Sequence, residues 1–165
     1  QRVGINFGAP GDRITRSGTL WLDYPSVGGP SPTIDAKVSG MPHYRYQHSL
    51  WMRGDAKYPW VNASAAEGLS EFKLTGLKPG NYIVELYFNE PDASAIGERL
   101  QTIQLQGETV KEDFEVVAES GGSMHAISLK FEGIKVQNEL RLNLSSSRGE
   151  TILSGLELIR EDTAE

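Results

Sequence analysis

The sequence contains no cysteine, so a disulfide frame, a thiolate metal site and a cysteine nucleophile are excluded together, and stability has to come from packing. Histidine is scarce: His43, His48 and His125 are the full set. His43 and His48 are five apart, which on one strand directs them to opposite faces and away from a shared metal. No serine is flanked by glycines two residues away, no phosphate-cradling glycine loop ends in lysine, and no histidine pair has zinc-ligand spacing. No catalytic or metal-ligating residue is therefore assigned, an enzyme is not expected, and chelation is expected to leave the fold intact. No stretch approaches the roughly 20 apolar residues that cross a bilayer, so membrane insertion is not expected. Sixteen basic residues against 22 acidic ones, a net charge of −6, supply no cationic field for a polyphosphate, which excludes nucleic acid as the expected partner. The chain opens at Gln1 with neither a methionine nor a signal sequence, as expected of an excised or processed module.

What remains is the composition of one globular domain. In 165 residues, a 38% hydrophobic fraction with 18 glycines and 8 prolines fits a turn-rich core-forming chain. The expected organisation is a single domain over residues 1–160 followed by a polar tail or linker stub at 161–165. Hydrophobicity alternates with period two between turn signals, which predicts an all-β antiparallel sandwich of about ten or eleven strands with very little helix. Val3, Ile5 and Phe7 share one face of an opening strand, and Leu20 and Leu22 alternate with Trp21 and Asp23 before Tyr24-Pro25 ends the run. Further strands are predicted over Tyr44–Met52 and Trp60–Ser64. Tyr82, Val84, Leu86 and Phe88 are predicted to face the core of a central strand, with Glu85 and Tyr87 outward.

The first 65 residues hold all three tryptophans, Trp21, Trp51 and Trp60, together with Tyr24, Tyr44, Tyr46 and Tyr58 and several Asp and Arg side chains. Sugars offer apolar C–H faces that stack on aromatic rings and hydroxyls that pair with Asp, Asn and Arg, so this mixture on loops is what a glycan rim requires. The candidate ligand-binding set is Asp12, Arg13, Trp21, Tyr24, Arg45, Tyr46, Trp51, Arg53 and Asp92. Trp21 and Trp51 are its expected stacking anchors because each sits opposite the aliphatic positions of its strand. The competing reading buries the tryptophans between sheets and makes the domain a protein-interaction or spacer module. Glu90 and Asp92, two apart at a strand end, either join the rim or serve as structural hydrogen-bonding groups. The Gly11-Asp12-Arg13 turn and the Gly28-Gly29-Pro30 loop either frame a polar ligand or form tight corners. No cofactor is expected, although Asp12, Asp23 and Asp35 could supply oxygen ligands to a structural calcium ion.

The run Tyr82-Ile83-Val84-Glu85-Leu86-Tyr87-Phe88-Asn89-Glu90, the stretch from Gly97-Glu98-Arg99 to Gly107, Phe114-Glu115-Val116-Val117-Ala118-Glu119 and the closing Ile152-Leu153-Ser154-Gly155-Leu156-Glu157-Leu158 together resemble the malectin-like branch of the galactose-binding-like β-sandwiches. The resemblance covers residues 70 to 160 well and the first 65 loosely. It implies a jelly-roll sandwich and a non-catalytic carbohydrate-binding module that targets a larger exported bacterial protein, extracellular or periplasmic, to a polysaccharide or glycan, with neighbouring domains of that protein as its other partners. The chain departs from malectin at the ligand positions. The aromatic pair after the signature strand is Pro91-Asp92, the Phe and Asp after the Gly-x-Arg element are Gln101 and Thr102, and the aspartate before the last strand gives way to Arg148-Gly149-Glu150.

Overall fold

A computed structural model describes residues 1–9, 11–25, 34–92 and 96–163. The Gly28-Gly29-Pro30 loop lies outside the described residues. Twelve strands are present among the described residues: β1 (Arg2–Phe7), β2 (Arg13–Ile14), β3 (Leu20–Tyr24), β4 (Asp35–Tyr46), β5 (Ser64–Thr75), β6 (Gly80–Phe88), β7 (Leu100–Leu105), β8 (Glu108–Phe114), β9 (Ile127–Val136), β10 (Glu139–Arg148), β11 (Ile152–Leu153) and β12 (Gly155–Arg160). The number exceeds ten or eleven because β2 and β11 are two-residue pieces. One sheet runs β2-β3-β1-β12-β6-β9, and the other β11-β5-β10-β7-β8 with β4 on β5. Only β1 and β3 pair in parallel among these strands; the remaining ladders are antiparallel.

Alternation places the apolar face of each strand between the sheets. Val3, Ile5, Phe7, Tyr82, Val84, Leu86, Phe88, Leu156 and Leu158 of the first sheet meet Leu69, Phe72, Leu74, Ile103, Leu105, Leu140 and Leu142 of the second, all buried. Edge-to-face ring pairs lock the two sheets together, Phe7 on Phe72 at 5.2 Å and Phe88 on Phe114 at 4.8 Å. The core of β6 is as the alternation predicts.

Residues 44 to 64 differ from the sequence expectation. β4 stops at Tyr46, and Ser49–Trp51 form a 3-10 turn whose start is capped by His48 Nδ1 accepting from Leu50 N at 3.2 Å. The predicted strand over Trp60–Ser64 is instead a single helical turn, α1 (Pro59–Asn62), before β5 begins. Pro59 at its first position has no N–H to leave unpaired and already holds a helical φ. A second short helix, α2 (Val116–Ser120), ends on Gly121 at φ 96°.

These turns lay residues 47–62 across the outer face of the first sheet. Trp21, Val61 and Tyr87 form a second buried cluster there, flanked by Tyr58 and Trp60. Trp21 lies flat over β1, which requires Gly4: a Cβ at that position would fall 2.3 Å from Trp21 Cδ2. Gly155 is required next to it, since its Cβ would meet Val61 Cγ1 at 2.6 Å.

Candidate functional site

The covering segment and the adjacent loops enclose two depressions that share Gln47. The first, about 200 Å³, is lined by Asn6, Asp12, Arg13, Tyr46, Gln47 and Trp60, among others, with Trp21 beneath. Asp12 is held by accepting from Asp23 N at 3.0 Å, and the Arg13 guanidinium lies 4.5 Å from the Trp60 ring centroid. The buried Trp21 Nε1–H has no hydrogen-bond partner among the described residues. The second depression, about 590 Å³, is lined by Gln47, Leu50, Trp51, Arg53, Pro91 and Met124, with Ser123. Its far wall is tied down by backbone bonds: Arg53 N donates to Met124 O at 2.8 Å, Ala126 N to Arg53 O at 2.9 Å and Met124 N to Glu90 O at 2.8 Å.

Exposure sorts the sequence-predicted residues. Trp51 is 65% and Tyr46 61% exposed, so both rings are open to a ligand. Trp21 is only 1% exposed, which corrects its expected role as a surface anchor: its strand parity is outward, but Tyr58, Trp60 and Val61 cover that face. Tyr24 is also misplaced as a rim residue. It packs on Phe7, Tyr44 and Phe72 at the core margin, and burial pushes its phenol pKa above the ordinary value. Asp12, Arg13 and Tyr46 thus line one depression, Trp51 and Arg53 the other.

Arg45 and Asp92 instead pair with each other, Nη1 to Oδ1 at 3.1 Å, and that bond holds the Arg45 pKa above its usual value. The pair opens onto a network that the sequence reading did not foresee. Arg99 Nε donates to Glu90 Oε2 at 2.6 Å and its Nη2 to Glu90 Oε1 at 3.2 Å, a forked pair on a buried carboxylate. Glu90 therefore plays the structural role foreseen as one of its two readings. Glu67, buried on β5, lies 3.1 Å from Arg45 Nε, off the hydrogen-bonding line, and 3.8 Å from Arg99 Nη2. Desolvation outweighs the pull of Arg99, Arg45 and His43 and raises its pKa above the ordinary carboxylate value. The sequence signals for this network were Arg45 and Asp92 as separate rim candidates, Glu90 at a strand end and Arg99 two residues after Gly97; none of them pointed to the others.

Among the described lining residues of the two depressions the one carboxylate is Asp12, whereas the two-carboxylate route of glycoside hydrolysis uses a facing pair. The aspartates at 12, 23 and 35 are not among the convergent metal-competent groups of the described residues; that distinction belongs to His43, Glu67 and Glu150.

Comparison with known proteins gives the same outline. The β-glucuronidase of Bacteroides uniformis superposes with TM-score 0.74 at 19% identity, covering 97% of this chain and 18% of that one. The extracellular domain of ANXUR2 from Arabidopsis thaliana gives TM-score 0.73 at 15% identity, covering 96% of this chain and 48% of its own. A plant complex of the peptide RALF23 with FER and LLG2 contains a chain matching at TM-score 0.59 and 19% identity, over 97% of this chain and 40% of that one. This chain thus spans less than half of each of these proteins, and at such identities the likeness shows the fold alone. No curated protein matches. The malectin domain family matches residues 60–157, more than half of the sequence, and the chain belongs to that family.

Proposed function

We propose that the domain is a non-catalytic carbohydrate-binding module, with the two depressions joined at Gln47 as its glycan-binding face. The observation that carries this reading is the pair of exposed rings, Tyr46 and Trp51, standing beside concave surfaces furnished with Asp12, Arg13 and Arg53. Rings that are already held open stack on sugar C–H faces with little loss of side-chain freedom, and the charged groups fix hydroxyl direction. Gln47 Oε1 is buried without a partner among the described residues, so an acceptor stands at the junction of the depressions. Membership of the malectin domain family supports a binding role, and the departures at Pro91-Asp92, Gln101 and Thr102 support a ligand different from malectin's.

In this reading residues 1–160 act as one unit of a larger exported bacterial protein, extracellular or periplasmic, and direct it to a polysaccharide. A glycan array followed by calorimetry on the highest-ranked sugar tests the proposal. Saturable binding that disappears in Trp51→Ala supports it, and absence of any glycan binding refutes it. A second reading has its own observation: Leu50 and Met41 are exposed apolar side chains, and Leu50 adjoins Trp51 and Met124 at the larger depression, a surface that also suits an extended peptide.

A further inference from the structure

We propose that His43, Glu67 and Glu150 form a binding site for a zinc-class divalent cation. His43 on β4 is the register partner of Glu67 on β5, and Glu67 in turn faces Ile152 of β11, so Glu150, two residues earlier, arrives at the same spot. His43 Nε2 lies 3.4 Å from Glu67 Oε2 and 3.4 Å from Glu150 Oε2, and the three atoms lie within 4.8 Å of one another.

Those separations are informative. They exceed the 2.7–3.2 Å of an ordinary N–H···O hydrogen bond, and one Nε2–H cannot serve two carboxylates at full strength. The two histidine–carboxylate separations match a shared metal instead: ligands about 2.0–2.2 Å from a tetrahedral centre stand roughly 3.3–3.6 Å apart, and the two carboxylate oxygens are within 4.8 Å of each other. Charge points the same way. The linked ion pairs contain four carboxylates, Glu67, Glu90, Asp92 and Glu150, against two guanidinium groups, Arg45 and Arg99, and this leaves an excess of two negative charges around a histidine.

The ligand-bearing turn is built in place. Arg99 Nη1 donates to Glu150 O at 2.7 Å and Ser146 Oγ to Gly149 O at 2.7 Å, while Glu67 is buried on a central strand. Arg99 gives its short contacts to Glu90 and stands 3.8 Å from Glu67 Oε2, so a cation on that oxygen displaces no close bond. One imidazole nitrogen and two carboxylate oxygens, with water completing the shell, suit Zn²⁺ or Co²⁺ and fall short of the six to eight oxygens that Ca²⁺ takes.

The test uses the 165-residue chain without a histidine tag. Zinc chloride is titrated by calorimetry, bound metal is counted after equilibrium dialysis, and cobalt chloride reports coordination through its visible absorption. The expected result is one equivalent of Zn²⁺, a four-coordinate Co²⁺ spectrum, a melting temperature several degrees higher at 100-fold excess over Kd, and no comparable uptake of Ca²⁺. His43→Gln and Glu150→Gln remove exposed side chains, so the metal-free melting temperature stays unchanged while Zn²⁺ affinity falls at least about 10-fold. No retention of Zn²⁺ by the wild type, equal retention by both variants, or equal uptake of Ca²⁺ overturns the proposal.

Discussion

Trp51 and Trp21 allow binding and folding to be separated with two substitutions. Trp51 keeps 65% of its surface exposed and Trp21 keeps 1%. An aromatic side chain buries about 150–250 Å² when fully covered, so the covered third of Trp51 amounts to about 70 Å², at most ~2 kcal/mol at about 25 cal/mol per Å². In a domain of this length 1 kcal/mol shifts the melting temperature by about 2–4 °C, so Trp51→Ala lowers it by less than about 8 °C. Trp21 packs edge-to-face on Tyr58, Trp60 and Tyr87 at 5.6, 5.5 and 5.6 Å and lies flat over Gly4, which has no side chain of its own to fill the space. Its removal costs about 3–5 kcal/mol, or roughly 6–20 °C. Binding reverses the order: loss of the exposed anchor weakens retention by ~2 kcal/mol or more, about 30-fold, whereas folded Trp21→Ala protein keeps most of its affinity. Differential scanning fluorimetry and affinity electrophoresis on the cognate polysaccharide measure the two quantities. Equal loss of stability in both variants, or undiminished retention by stable Trp51→Ala, refutes the assignment of Trp51 as the anchor.

Gly4→Ala drives a methyl group into the Trp21 ring and is expected to destabilise by about 1–3 kcal/mol, read as a lower urea midpoint with an altered near-ultraviolet dichroism; an unchanged midpoint would remove Trp21 from its seat on β1. Arg99→Ala leaves Glu90 and Glu67 buried without their shared cation and is expected to cost about 3–5 kcal/mol, partly recovered when Glu90→Gln is added; a cost under 1 kcal/mol in a thermal melt would contradict the network. Tyr87 predicts an alkaline limit. Burial, with Glu157 and Glu85 beside its hydroxyl, raises the folded-state pKa far above the ordinary value of about 10, so the folded form stays protonated where the unfolded chain ionises. The stability it contributes is complete below pH ~10 and is lost above it at about 1.4 kcal/mol per pH unit. Since Tyr24, Tyr44 and Tyr82 shift in the same direction, the reading is the difference in slope between wild type and Tyr87→Phe in urea melts from pH 9 to 11, and equal slopes would refute it.

The parts of the fold legible in the sequence are those where one strand carries the whole signal. Tyr82, Val84, Leu86 and Phe88 alternate cleanly because β6 pairs β12 on one side and β9 on the other, and each inward position meets a core that only an apolar side chain fills. Tyr24 shows the same rule neglected: it shares parity with Leu20 and Leu22, and parity places it inward, where the aromatic composition of the segment had drawn it to the rim. The 3-10 turn after His48 and the helical turn at Pro59 were written in short-range chemistry, a capping imidazole and a proline at a first helical position, which a period-two reading passes over.

Trp21 marks where a strand-by-strand reading ends. Parity correctly sets it on the outer face of β3, but outward equals exposed only when nothing covers the sheet, and the cover comes from Tyr58, Trp60 and Val61, the last packed against Gly155 of β12. A trace of that cover was present in the glycines at 4 and 155. Both stand at outward positions of strands otherwise rich in side chains, where the absence of a Cβ makes room for something lying flat. The cluster of His43, Glu67 and Glu150 left no such trace, because its members meet only through the β4-β5-β11 register, over sequence separations that local pattern does not reach. Aromatic content therefore marked the region of the candidate glycan face, while the side chains that stay exposed in it, Tyr46 and Trp51, were selected by which loop folds over which sheet.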